Sequence, residues 1–157
     1  MPIKGKILGI DYGNARIGIA ISDFDQEIAF PKDTLQNTSL NKVILEIHEI
    51  CTNEKVVEIV LGMPYSMNGK ISEQTEKTLK FLALLKKNLS VPVEIHDERL
   101  TSIESDVILT TLNMRGEERK NSRDKIAASL ILKNYLDYKR SNREKGGKKG
   151  ELSLKKH

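Results

Sequence analysis

Sulfur and aromatic rings are both scarce in this chain. Its 157 residues include one cysteine, Cys51, no tryptophan and 4% aromatic residues. A lone cysteine excludes an internal disulfide framework and a cysteine-rich zinc site, and it makes a reducing cytoplasm the default location. The histidines His48, His96 and His157 stand apart, with no partner at metal-ligand spacing. No apolar run approaches the roughly 20 residues a membrane helix needs, and no stretch near Met1 has the shape of a signal peptide. The length suits one domain with a real core and excludes two large domains around a cleft.

Charge is plentiful but unevenly placed. The formal net charge is +4 and the pI about 9.1, which invites a nucleic-acid reading. Residues 139–157 hold eight Lys/Arg and two Glu, whereas residues 1–138 hold 18 Lys/Arg and 20 Asp/Glu. The body is therefore slightly acidic and the basic pI belongs to the tail. The stretch Arg143 to Gly150 has no apolar residue to bury, so 139–157 is expected to be a disordered basic tail behind a 1–138 domain. Such a tail either solubilises the protein or contacts phosphates without regard to sequence.

Along the body, Lys6–Tyr12 and Arg16–Ser22 read as strands joined by a turn at Gly13-Asn14. In the second, Ile17, Ile19 and Ile21 share one face, Gly18 and Ala20 leave the other thin, and Arg16 points away from the isoleucines. A third strand is expected near Gln26–Phe30, ended by Pro31. A helix from Ser39, a strand at Val56–Leu61, a helix from Ser72 and a strand at Pro92–His96 follow. Thr101 and Glu104 have capping-box spacing for a third helix. A polar loop over 115–121 then leads to Ser122 as cap of a fourth. The order βββαβαβαα implies an α/β fold. Its mixed five-stranded sheet has three antiparallel strands, then parallel strands reached by right-handed crossovers, with helices on the faces.

Three carboxylates stand near strand and helix ends. Asp11 closes an apolar strand that should be central, with Gly9 on the same face leaving room for a bulky anion. Glu98 lies just after the last strand and just before a helix. Asp124 is expected in the first turn of the last helix. Each has an ordinary alternative: a turn residue, a solvated ion pair with Arg99, and an acid complementing the helix dipole. Together they could hold two Mg²⁺ or Mn²⁺ ions for phosphodiester cleavage, since hard oxygen donors without His/Cys clustering disfavour zinc. Strand spacing sets the ends of the first and last strands roughly 10 Å apart. Glu98 must then reach back across Gly62, where a glycine gives it room.

Four motifs, in order, resemble the YqgF family. These are Leu8 to Asp23 (LGIDYGNARIGIAISD), Leu61 to Pro64 with Gly69, Asp97 to Ser102 (DERLTS), and Asp124 to Ala128 (DKIAA) running on to Tyr135-Leu136-Asp137. The match covers about residues 6–138. Proteins of that family are described as pre-16S rRNA nucleases and as Holliday-junction-resolvase-like, with an RNase H-like fold. The resemblance implies Asp11, Glu98 and Asp124 as metal-binding acids. It also implies bacterial cytoplasmic residence and a role in maturing the 5′ end of the small-subunit rRNA precursor. Two positions depart from the pattern. Ala15 stands where a basic residue is frequent, and Asp124 is flanked by Arg123 and Lys125, cations that favour its ionised form and compete with metal for it.

Arg16, Arg99 and Lys120 are candidate phosphate partners, within a chain whose segment 115–125 carries five basic residues against three acids. Tyr12 and Tyr65 flank the glycine turns and could stack bases, with core packing the ordinary alternative. Thr101 and Ser102 read as helix caps, and His48, His96 and Cys51 as structural residues. The leading expectation is a metal-dependent nuclease acting on structured RNA. A resolvase cutting four-way DNA, which a homodimer would suit, and a non-catalytic RNA- or ribosome-associated module are the alternatives. Asp11-Tyr-Gly also resembles the first phosphate loop of sugar kinases and actins, but that fold needs a second domain this length cannot supply.

Overall fold

The computed structural model describes residues 4–66, 68, 70–100 and 103–156. Strands β1 (Lys6–Tyr12), β2 (Arg16–Ser22) and β3 (Ala29–Gln36) are followed by helix α1 (Leu40–Glu54), β4 (Val56–Met63), α2 (Glu73–Asn88) and β5 (Val93–Asp97). A single 3-10 turn, Glu98–Leu100, leads to α3 (Ile103–Thr111) and α4 (Gly116–Lys156). The five strands form one sheet in the order β3-β2-β1-β4-β5. β1 pairs antiparallel with β2, and β2 with β3, whereas β1–β4 and β4–β5 are parallel. This is the mixed sheet expected from the order of elements, with β1 at its centre.

The alternation along each strand decides which helix covers which face. Leu8 and Ile10 of β1, Ile17 and Ile19 of β2, and Leu61 and Met63 of β4 point to one side. There they pack with Val43 and Ile47 of α1 and Phe81 and Leu85 of α2. Ile7, Ala20 and Val60 point to the other side and meet Ala128, Leu132, Tyr135 and Leu136 of α4. The second layer is thinner, because β1 and β2 present Gly9, Gly18 and Ala20 to it. An ideal Cβ on Gly9 would lie 2.8 Å from Leu132 Cβ and 3.1 Å from the Ala128 carbonyl. The room at Gly9 is thus filled by α4 and not left for an anion.

Polar side chains close the helix ends. Ser39 Oγ accepts from the Lys42 amide at 3.5 Å and Ser72 Oγ from the Thr75 amide at 3.1 Å, so both serines act as N-caps. Arg119 donates to the Thr111, Leu112 and Met114 carbonyls at 3.1–3.2 Å and so ties the end of α3 to α4. Between the sheet and α4, Glu58 of β4 accepts from the Tyr135 hydroxyl at 2.6 Å and from Lys139 Nζ at 2.7 Å.

Two expectations need correction. The third strand runs Ala29–Gln36, through Pro31. It is an edge strand whose register to β2 shifts between Ile19 and Ala20, and an edge is where a proline without an N–H is tolerated. The last helix opens at Gly116, so residues 116–121 are its first turns and not a loop, and Ser122 is no cap. Glu117 and Glu118 supply the acids that complement its dipole. The backbone of 139–156 continues this helix. Thr101, Ser102 and Gly69 lie outside the described residues. Among the described residues no helix is long and apolar enough to cross a membrane.

Candidate active site

Asp11 is the last but one residue of the central strand and shares the α4 face with Ile7 and Gly9. Across the β1–β2 ladder its partner is Gly18. Burial pushes the Asp11 carboxyl up to about 8, and the negative charges of Glu98 and Asp124 push in the same direction, with Arg123 opposing them. Two acids distant in sequence, one on a 3-10 turn and one on a helix, therefore act on Asp11 at the carboxyl end of β1.

Glu98 reaches this region by the route the glycine at position 62 leaves open. It begins the 3-10 turn after β5, two strands from β1. An ideal Cβ on Gly62 would sit 2.6 Å from Glu98 Oε1 and 2.6 Å from Ile131 Cδ1, so the Glu98 carboxylate lies directly over the bare backbone of β4. Burial and then the neighbouring Asp97 raise the Glu98 pKa. The role of Gly62 is thus to make room for an acid.

Asp124 stands in the third turn of α4, eight residues after Gly116. The helix-dipole explanation fails there, because that effect fades beyond the first turn. What holds Asp124 is Arg16, whose Nε–H donates to Oδ2 at 2.8 Å. The flanking cations Arg123 and Lys125, which the sequence offers first, are not its ion-pair partners among the described residues. Instead Arg123 acts on Asp11.

The remaining candidates divide. Arg16 joins the acids. Arg99 is held beside them: its Nε and Nη2 donate to Asp97 at 2.8–3.2 Å, and its guanidinium lies 5.1 Å from the Tyr65 ring centroid. The Arg99 hydrogen bonds hold the Asp97 carboxyl below its ordinary pKa. Tyr12 turns to the opposite face, its ring 4.5 Å from that of Phe81, so it packs with the core and is not presented to a base. Lys120 is exposed on α4 one helical turn before Asp124 and has no ion pair among the described residues. His96 is buried, with its Nε2 lacking a hydrogen-bond partner among the described residues, and its ring meets Tyr135 edge-on at 6.3 Å. Cys51 is inert, its thiol pushed up to about 11 by burial.

Among the described residues, no three acidic, histidine or cysteine side chains are gathered closely enough to hold a metal ion as they stand. The donors nevertheless fit a hard divalent cation. All three are carboxylates, and burial together with two neighbouring negative charges makes ionisation of Asp11 costly until a cation compensates it.

Known proteins show where this chain belongs. A family model described as RuvX, Holliday junction resolvase, matches residues 5–138. A protein of Endomicrobium trichonymphae named "Putative pre-16S rRNA nuclease" is 44% identical over 133 residues, covering 84% of this chain and 95% of that one. One of the same name from Chloroflexus aurantiacus is 40% identical over 136 residues, covering 87% and 89%. Among solved structures, Thermus thermophilus RuvC in complex with a Holliday junction substrate superposes with a TM-score of 0.57 over 87% of this chain and 96% of that one. At 11% identity that likeness is one of fold, the RNase H-like fold of a resolvase. A chain matched from residue 5 to 138, with close relatives along nearly their whole length, belongs to the RuvX family, the YqgF proteins that its four motifs resemble.

Proposed function

We propose that this protein is a metal-dependent nuclease that hydrolyses phosphodiester bonds in the 5′-end maturation of pre-16S rRNA. The observation that carries the reading is the convergence of Asp11, Glu98 and Asp124 at the carboxyl end of the central strand, the place where α/β sheets present their ligands. The names of its relatives favour pre-rRNA as substrate.

Asp11, Glu98 and Asp124 are the residues that would hold the cation, Mg²⁺ or Mn²⁺ by donor chemistry. Bound there, divalent metal would supply activation of the attacking water and compensation of charge on the leaving oxygen. Asp11, on the rigid central strand, fixes the position of the centre. Glu98 and Asp124 bring acceptors from either side of it. Arg16, Arg123 and Lys120 border the acids and supply positive charge for the phosphates that flank the cleaved bond. Arg99, bound to Asp97 and seated on Tyr65, offers the exposed edge of a guanidinium–aromatic pair to an unstacked base.

The description of the family model as a Holliday junction resolvase supports a second reading, cleavage of four-way DNA. One experiment decides between the two. A pre-rRNA 5′ fragment and a four-way DNA junction are incubated side by side with wild type and Asp11→Asn, with and without Mg²⁺. Cleavage of the RNA alone, lost in the variant and in chelator, is the expected result. Full activity in Asp11→Asn would refute the site, and cleavage of the junction alone would refute the substrate.

A further inference from the structure

We infer that Arg16 is a positioning residue for Asp124, and that with Gly18 it forms a two-point seat on β2 that fixes this acid and presents its carboxylate to a cation. The inference rests on the reading of Asp124 as a metal ligand.

The seat follows from the strand period. Arg16, Gly18 and Ala20 alternate onto the α4 side of β2, while Ile17 and Ile19 point into the other core. Gly18 sets where the backbone of Asp124 lies: an ideal Cβ there would sit 1.9 Å from the Asp124 carbonyl oxygen and 3.1 Å from the Lys125 amide nitrogen. Any other residue at 18 would push this turn of α4 off the sheet. Arg16, two residues earlier on the same face, sets where the side chain lies, through the 2.8 Å bond from Nε to Oδ2. The two contacts hold Asp124 beside the residue that pairs with Gly18 across the ladder, which is Asp11.

The arrangement leaves capacity on both partners. A carboxylate offers about four acceptor directions, and the Nε–H uses one of them, so Oδ1 and a second lone pair on Oδ2 remain for a cation. Arg16 keeps its Nη donors. With side chains 39% and 23% exposed, the pair is shielded enough for a charge-assisted bond to restrict the torsions of Asp124 before any ion arrives. Hydrogen bonds from outside a metal site that orient its ligands in this way are commonly worth about 10- to 100-fold in metal affinity.

The test is Mn²⁺ binding by titration calorimetry in the absence of any nucleic acid, on full-length wild type, Arg16→Gln and Arg16→Lys. Thermal unfolding in chelator is recorded for each. A residue that served only to contact substrate phosphate would leave Mn²⁺ affinity unchanged. The expected result is that Arg16→Gln binds Mn²⁺ at least about tenfold more weakly with its unfolding temperature within a few degrees of wild type. Arg16→Lys, with a point charge in place of the planar fork, should fall between them. Equal affinity in all three proteins overturns the inference, and so does tighter binding in Arg16→Gln, which would make Arg16 a competitor of the cation. Were Arg16→Gln to unfold, the Arg16→Lys comparison decides alone. Absence of Mn²⁺ binding in wild type would instead defeat the metal-dependent function itself.

Discussion

The state of Asp11 gives the candidate site a thermodynamic signature that can be read without substrate. Its carboxyl titrates near 3.8 in an unfolded chain and at about 8 in the folded one. A group with a raised folded pKa contributes fully below its unfolded value, and the contribution is lost as pH rises through the folded value. Metal-free protein should therefore lose stability steadily from pH 4 to pH 8. Each pH unit corresponds to about 1.4 kcal/mol, so the whole window has a ceiling of about 5 kcal/mol. Asp11 keeps some solvent contact, which reduces this to about 3 kcal/mol. For a chain of this length that amounts to roughly 6–12 °C in unfolding temperature. Asp11→Asn cannot ionise, so in chelator the variant should hold its stability across the window and melt above wild type at pH 8. Saturating Mg²⁺ should restore wild type at pH 8, by about 2.7 kcal/mol at a hundredfold excess over Kd, and leave the variant unmoved. Scanning calorimetry at pH 5, 6.5 and 8 with chelator or Mg²⁺ measures all of this. Parallel loss of stability in wild type and variant would refute the reasoning, because the pH dependence would then belong to other groups.

Two further outcomes follow from the geometry. Gly62→Ala would press on Glu98 Oε1 and Ile131 Cδ1, both far ends of flexible side chains. It should cost only about 1 kcal/mol of stability while displacing Glu98 and lowering cleavage at least about tenfold; a fully active variant would show that Glu98 is not needed. Deleting residues 146–157 removes four lysines and one glutamate. RNA affinity should fall and its dependence on salt should flatten, with Mn²⁺ affinity unchanged; filter binding across a salt series measures both.

Much of this was legible in the sequence because strand alternation is a strong signal. The thin face of Arg16, Gly18 and Ala20 is visible as a pattern, and the central placement of Asp11 follows from the order of elements. What the pattern does not carry is which partner occupies that face. Gly9 and Gly18 read equally well as space for a ligand and as space for a helix, and only the position of α4 distinguishes the two. The Arg16–Asp124 pair spans 108 residues, so the nearer cations Arg123 and Lys125 draw attention away from it. The start of α4 is hidden in the sequence because the turns at 116–121 are polar all round, which leaves no apolar period to find. Pro31 hid most of β3, since a proline ends a strand everywhere except at an edge.

The three acids sit on elements of unequal permanence. Asp11 belongs to the middle strand, paired on both sides and covered on both faces, where amide protons should exchange most slowly. Glu98 hangs from β5, a five-residue strand at the rim of the sheet whose exposed Ile95 marks thin cover. Local opening of that rim removes one acid while the other two stay in place. Heat or denaturant should accordingly silence the site before the molecule melts, with the inactive form still compact, still folded at its centre, and restored by re-pairing one short strand.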